Sequence, residues 1–204
     1  NIYAKLGVTS RREAVRRAWS AYSAGFREYP IEWQTVYYSP VQMGPANPLY
    51  PQKTGYQATM VNTPYDDLER WTAGYAKDRA AWVSQMHKVA KGFAEGDRLW
   101  QDVIAKTAGA PRREAEREAV IFRTATLHFK TSADQADFIA ARDCGDKAAM
   151  RAAAEKELAT AKEFLPLVRT ESRLGFESSN RYMYVPNDIL EKIVNCRLLL
   201  DELK

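Results

Sequence analysis

Residues 78–108 read DRAAWVSQMHKVAKGFAEGDRLWQDVIAKTA, and the spacing of their large apolar side chains decides the fold class. Trp82, Met86, Val89, Phe93, Trp100 and Val103 recur at intervals of three, four or seven, which is one face of an α-helix. Two runs of the same kind follow. From Pro111 to about Arg142 the stripe is Ala115, Ala119, Phe122, Ala125, Phe129, Ala136 and Ile139. From Asp146 to about Leu174 it is Met150, Ala154, Leu158, Ala161, Leu165 and Val168. The links Thr107–Pro111 and Cys144–Asp146 are short, so neighbouring helices should run antiparallel. Alanine at many stripe positions allows close helix approach. Pro166 removes one backbone hydrogen bond inside the third run and is expected to kink it.

Shorter helices flank these three. Ser10-Arg-Arg-Glu13 is a capping box, and Val15, Trp19, Tyr22 and Phe26 form the expected buried stripe behind it. Gly25 and Pro30 should close that helix near Tyr29. Thr63, Pro64 and Asp66 supply an N-cap, a first-turn proline and an acid at the positive helix end, for a short helix through Trp71 that Gly74 stops. A last helix starts at Asn187 or Asp188 and is expected to bury Leu190, Ile193, Val194 and Leu198. No fixed-period repeat is visible. At 204 residues the default is one domain spanning the chain, an all-α antiparallel bundle with two irregular inserts at about 30–64 and 172–186.

The first insert reads PIEWQTVYYSPVQMGPANPLYPQKTGYQATMVNTP. It holds six of the nine prolines, five aromatics and only two charges, Glu32 and Lys53. Such a stretch is too broken for a long helix and too apolar for a solvated linker, so an ordered, non-helical loop packed on the bundle is expected. Long ordered loops are rare and usually functional. Within it Gln34–Tyr38 and Gln57–Val61 could pair as a small ribbon. The second insert, SRLGFESSNRYMYVP, has the same aromatic and amide character, and the two inserts are expected side by side.

Composition excludes several classes. The 30 basic and 26 acidic residues interleave along helices, as a solvated face does, whereas a nucleic-acid binder gathers positive charge on one surface. No apolar run approaches the ~20 residues of a membrane span. His87 and His128 lie inside helices, far from Cys144 and Cys196, and form no metal-ligand pattern. There is no glycine-rich phosphate loop and no nucleophile elbow. No cofactor and no metal are expected. The two cysteines read as unpaired, largely buried thiols.

Carboxylates are the remaining candidate catalysts: Asp66 and Asp67 beside the first insert, and Glu177 in the second. Glycoside hydrolysis needs two carboxyls flanking the scissile bond, but paired acids at a helix start are also ordinary helix chemistry. The aromatic and amide content is the better pointer. Sugars meet flat aromatic faces while amides and charged planes bond their hydroxyls. Tyr37, Tyr38, Gln42, Asn47, Tyr50, Tyr56 and Gln57 fit that chemistry in the first insert, and Arg173, Glu177, Asn180, Arg181 and Tyr182 in the second. Each also has a packing reading, since aromatics in a long loop anchor it to a bundle.

Three strings, YYSPVQMGPANPLY (37–50), GYQATMVNTPYDDLERW (55–71) and ESRLGFESSNRYMYVPNDILEKIVNC (171–196), resemble the C-terminal helical region of large bacterial glycoside-hydrolase-like proteins of polysaccharide-degrading species. The resemblance covers about half of the chain. It implies a helical domain packed on an upstream catalytic barrel, as in the α-glucuronidases, where it supports the active-site face or subunit contacts. The implied partners are that catalytic domain of the same polypeptide, a glycan and a second copy of the chain. The implied location is secreted or periplasmic rather than cytoplasmic. The opening NIYAKLGV, without an initiator Met, fits a domain of a longer protein. Three functions stand at this point. One is an accessory domain of a carbohydrate-active enzyme. The second is a stand-alone interaction module using the aromatic loop. The third is a small hydrolase using Asp66, Asp67 or Glu177.

Overall fold

The computed structural model describes residues 12–55, 66–72, 78–177, 181–182 and 184–204. The described residues form an all-α fold of eight helices. In chain order these are α1 (Arg12–Arg27), α2 (Trp33–Tyr38), α3 (Pro40–Met43), α4 (Leu68–Trp71), α5 (Arg79–Ala105), α6 (Gly109–Asp143), α7 (Lys147–Thr170) and α8 (Pro186–Glu202). A 3-10 turn, Gly44–Ala46, follows α3. The capping box expected at Ser10 and the N-cap expected at Thr63 lie outside the described residues.

Each long helix packs on its sequence neighbours: α1 on α5, α5 on α6, α6 on α7 and α7 on α8. The short links bring this about. Gly109 and Gly145 turn the chain with φ of 67° and 73°, and Asp146 caps α7 by accepting from Ala149 N. The α6 helix is the hub, with every residue from Thr131 to Ala136 buried. The expected α5 stripe is the buried one, with Trp82, Met86, Val89, Trp100 and Val103 all at 1% exposure or less. Pro166 lies inside α7.

Two stripes fall differently from expectation. In α1 the buried face is Val15, Ala18, Tyr22 and Gly25, while Trp19 and Phe26 are exposed. The reason is a close helix crossing. Gly25 does not end the helix but meets Gly92 of α5 so tightly that a Cβ on Gly92 would stand 2.3 Å from the Gly25 Cα. That contact turns α1 until Gly25, not Phe26, faces α5. In α8 the buried face is Ile189, Lys192, Ile193, Cys196 and Leu199, whereas Leu190, Val194 and Leu198 are exposed. Here a buried lysine sets the rotation.

The first insert is not a non-helical loop. Its described part, 30–55, is cut by Ser39 and its prolines into two short helices and the 3-10 turn, and Gln34–Tyr38, offered above as a strand, belongs to α2. The partner run Gln57–Val61 lies outside the described residues. A ribbon occurs instead in the second insert, where β1 (Phe176–Glu177) pairs antiparallel with β2 (Arg181–Tyr182). The short helix before Trp71 begins at Leu68, capped by Asp67, whose side chain accepts from Arg70 N. Of the two free thiols, Cys196 is buried and Cys144 is exposed, the latter because α6 ends there against solvent.

Candidate functional site

The first insert is pinned to the helices by polar contacts along its length. The Ser39 Oγ caps α3 at Val41 N, 3.2 Å away, and donates to the Thr35 carbonyl. Trp82 Nε1 donates to the buried Thr35 hydroxyl at 2.9 Å. The Gln135 amide of α6 donates to the Gly44 carbonyl at 2.9 Å and accepts from the Asn47 amide at 2.8 Å. The Asn195 side chain of α8 bonds both backbone groups of Leu49, each at 2.8 Å, as a neighbouring strand would.

Beneath these lies an ion pair cut off from water. Lys192 and Glu157, with side chains 0% and 1% exposed, stand 2.9 Å apart. Lys192 also donates to the Asn47 carbonyl, and the Thr131 hydroxyl donates to Glu157 at 2.7 Å. Burial raises the Glu157 pKa, against the pull of the Lys192 ammonium and the Thr131 hydroxyl. Farther along, Arg142 donates to the Asp66 carboxylate and carbonyl, both at 2.7 Å, and Asp66 accepts from Thr54 N at 3.0 Å.

So clamped on its inner side, the insert turns apolar groups outward. Ile31, Trp33, Val36 and Tyr37 are 74%, 55%, 37% and 41% exposed. The rings of Trp33 and Tyr37, one turn apart on α2, lie 5.9 Å apart at 49°. A helix this short holds its shape because Thr35 and Ser39 are anchored behind it.

The second insert meets the first at His128. Its Nε2 lies 2.7 Å from the Val41 carbonyl and donates to it, which fixes the neutral tautomer. Gly44, at φ 52°, lies so near that a Cβ would be 2.6 Å from the ring. From the other insert Tyr184 approaches His128 with ring centroids 6.2 Å apart, and it also packs edge-on against Phe164. Burial lowers the His128 pKa, opposed by the Val41 hydrogen bond.

Among the residues singled out from sequence, Tyr37 is on the exposed face and Tyr38 belongs to α2 beside it. Gln42 and Tyr50 are partly buried, and Asn47 is buried with its amide nitrogen donating to Gln135. Arg173 is exposed and clamps Glu171, pushing that carboxyl down to about 2. Glu177, Arg181 and Tyr182 form the ribbon. Tyr56, Gln57 and Asn180 lie outside the described residues. Both acids beside the first insert have partners within the fold. Asp66 accepts from Arg142 through one carboxylate oxygen and its carbonyl, and Asp67 caps α4 while pairing with Lys53 at 3.0 Å.

Trp33, His128, Gln135, Lys192 and Asn195 went unremarked as site residues in the sequence. One sign was available. Lys192 stands in phase with Ile189, Ile193 and Cys196, where a lysine must have a buried partner.

A separate cleft of about 570 Å³ opens between the start of α5 and the end of α6. Leu68, Ala80, Val83 and Ala140 give it an apolar lining, and Arg79, His87 and Cys144 reach its walls. His87 pairs with Asp137 at 2.9 Å, and that hydrogen bond raises its pKa. Among the described residues no three His, Cys, Asp or Glu gather as a metal would need, and no helix is long and apolar enough to cross a membrane.

Comparison with protein-family models, curated proteins and solved structures returns no match.

Proposed function

We propose that this chain is a helical accessory domain that docks through the outer face of α2 against the catalytic domain of a carbohydrate-active enzyme, and carries no catalysis of its own. The observation behind this reading is the exposure of Trp33 and Tyr37 on a helix held from behind by buried hydrogen bonds. A surface built that rigidly loses little conformational freedom on association, so its apolar burial converts into affinity. The likeness of three sequence strings to the helical region of glycoside-hydrolase-like proteins supplies the kind of partner. The occupation of Asp66 and Asp67 by Arg142 and by helix capping supports a non-catalytic role. A flat aromatic pair at such a junction would also border a glycan held by the catalytic domain.

Iodide quenching of Trp33 tests the docking. It is read as the difference between the unaltered protein and Trp33→Phe. Trp71, Trp82 and Trp100 are buried and contribute little to that difference. Trp33 should be quenched freely in the isolated chain and protected in the full-length polypeptide. Equal quenching in both would remove the docking face. A glycan array probed with the isolated chain separates sugar from protein as the primary ligand. Hydrolysis of aryl-glycosides by the purified chain, abolished by Glu177→Gln or Asp67→Asn, would overturn the non-catalytic reading.

A further inference from the structure

The cleft between α5 and α6 has polar ends and an apolar middle. Its register follows from one contact: His87 pairs with Asp137 across the two antiparallel helices, so Val83 faces Ala140 and the Arg79–Ala80 turn faces Cys144. The His87–Asp137 pair therefore closes one end, and Arg79 and Cys144 stand at the other. Eight residues of helix separate Arg79 from His87, about 12 Å of rise. At about 570 Å³ the cleft falls in the range of small-molecule sites.

The charges at its open end are unequal in commitment. Asp143 accepts from Arg142 at 3.0 and 2.8 Å, and that guanidinium is 4% exposed. Asp143 is thus held within the fold by a guanidinium that it shares with Asp66. Arg79, by contrast, makes one ion pair among the described residues, at 3.3 Å with Glu69, whose side chain is 76% exposed. Exposed single pairs of this kind contribute little and exchange readily. Arg79 also sits on the first turn of a 27-residue helix, at the positive end of its dipole.

We propose that this cleft binds a small molecule with an apolar body and one carboxylate, the body lying over Ala80, Val83 and Ala140 and the head group taken by Arg79 beside Cys144. The occupant exchanges Glu69 for its own carboxylate and covers the thiol. The site is independent of α2 and of the docking reading above.

Cys144 gives the readout, because Cys196, the second cysteine of the chain, is fully buried. The rate of alkylation by the uncharged reagent monobromobimane is measured with sodium decanoate, well below its micellar range, and with decyltrimethylammonium as the cationic control. Cys144 should label rapidly in the free protein, decanoate should slow it saturably, and the cationic amphiphile should not. Arg79→Gln should weaken decanoate protection about tenfold, the factor for one lost charge-assisted hydrogen bond. Val83→Trp, which fills the apolar middle, should abolish protection while the far-UV circular dichroism and melting temperature stay those of the folded protein. Slow labelling of the free protein would overturn the proposal, as would equal protection by both amphiphiles or a decanoate effect indifferent to Arg79→Gln.

Discussion

Replacing Lys192 by Met should be among the most damaging single changes available to this chain. Met keeps most of the stem volume, so the packing against Ile189 and Cys196 survives and the loss is electrostatic. Glu157 then remains 1% exposed with the Thr131 hydroxyl as its hydrogen-bond donor, and the Asn47 carbonyl loses the ammonium. Removing one partner of a buried pair costs about 3–5 kcal/mol. At this chain length each kcal/mol moves the melting temperature by about 2–4 °C, so a fall of roughly 6–20 °C follows. The loss has a pH signature. Burial already raises the folded pKa of Glu157, and without Lys192 it rises further. A carboxyl whose folded pKa is raised gives stability that is fully present below its unfolded value, near ~4.3, and lost as pH rises through the folded pKa. Urea denaturation should therefore show the largest deficit at neutral pH and a smaller one near pH ~5. The double variant Glu157→Leu/Lys192→Met should recover most of it, since a buried pair replaced by apolar groups is often neutral. Amide exchange at 44–49 should quicken in the single variant, because the insert hangs on this pair. A deficit below about 1 kcal/mol, or one that neither pH nor the double variant relieves, would refute the reasoning.

Gly92→Ala should destabilise by about 1–3 kcal/mol in urea titration, although alanine is the better helix former, because its Cβ would press on the Gly25 backbone. The two histidines should oppose each other in stability against pH. His128, with a lowered folded pKa, gives stability present above ~6.5 that falls away under acid, and His128→Gln should flatten that limb of the profile. His87, with a raised pKa, contributes below ~6.5 and loses that contribution as pH rises through the folded value, so His87→Gln should flatten the upper limb. Trp33→Ala and Tyr37→Ala should change the stability of the isolated chain by less than about 0.5 kcal/mol each, yet weaken association with the catalytic domain in calorimetric titration.

The sequence by itself determined the long helices. The apolar stripe of α5 and the short links at Gly109 and Gly145 are local signals, because a helix hydrogen-bonds within itself and its period needs no partner. The unusual character of 30–64 was equally plain, since proline and aromatic content are properties of composition. Which face each helix buries was another matter. Trp19 and Phe26 repeat with the same period as Val15 and Tyr22, and only the crossing of Gly25 on Gly92 decides which pair turns inward. In α8 the apolar residues Leu190, Val194 and Leu198 outweigh a lysine on any hydropathy scale, yet Lys192 is the buried one because Glu157 and Asn47 wait for it. The candidate site divides the same way. Tyr37 was legible as an aromatic in an ordered insert, but its exposure depends on Thr35 and Ser39 being held from behind. Asn47 and Asp66 carried the chemistry of a site, and the fold pairs them with Gln135 and Arg142, partners 88 and 76 residues away. Pairings at that separation are fixed by where the helices pack, and no local pattern in the chain encodes them.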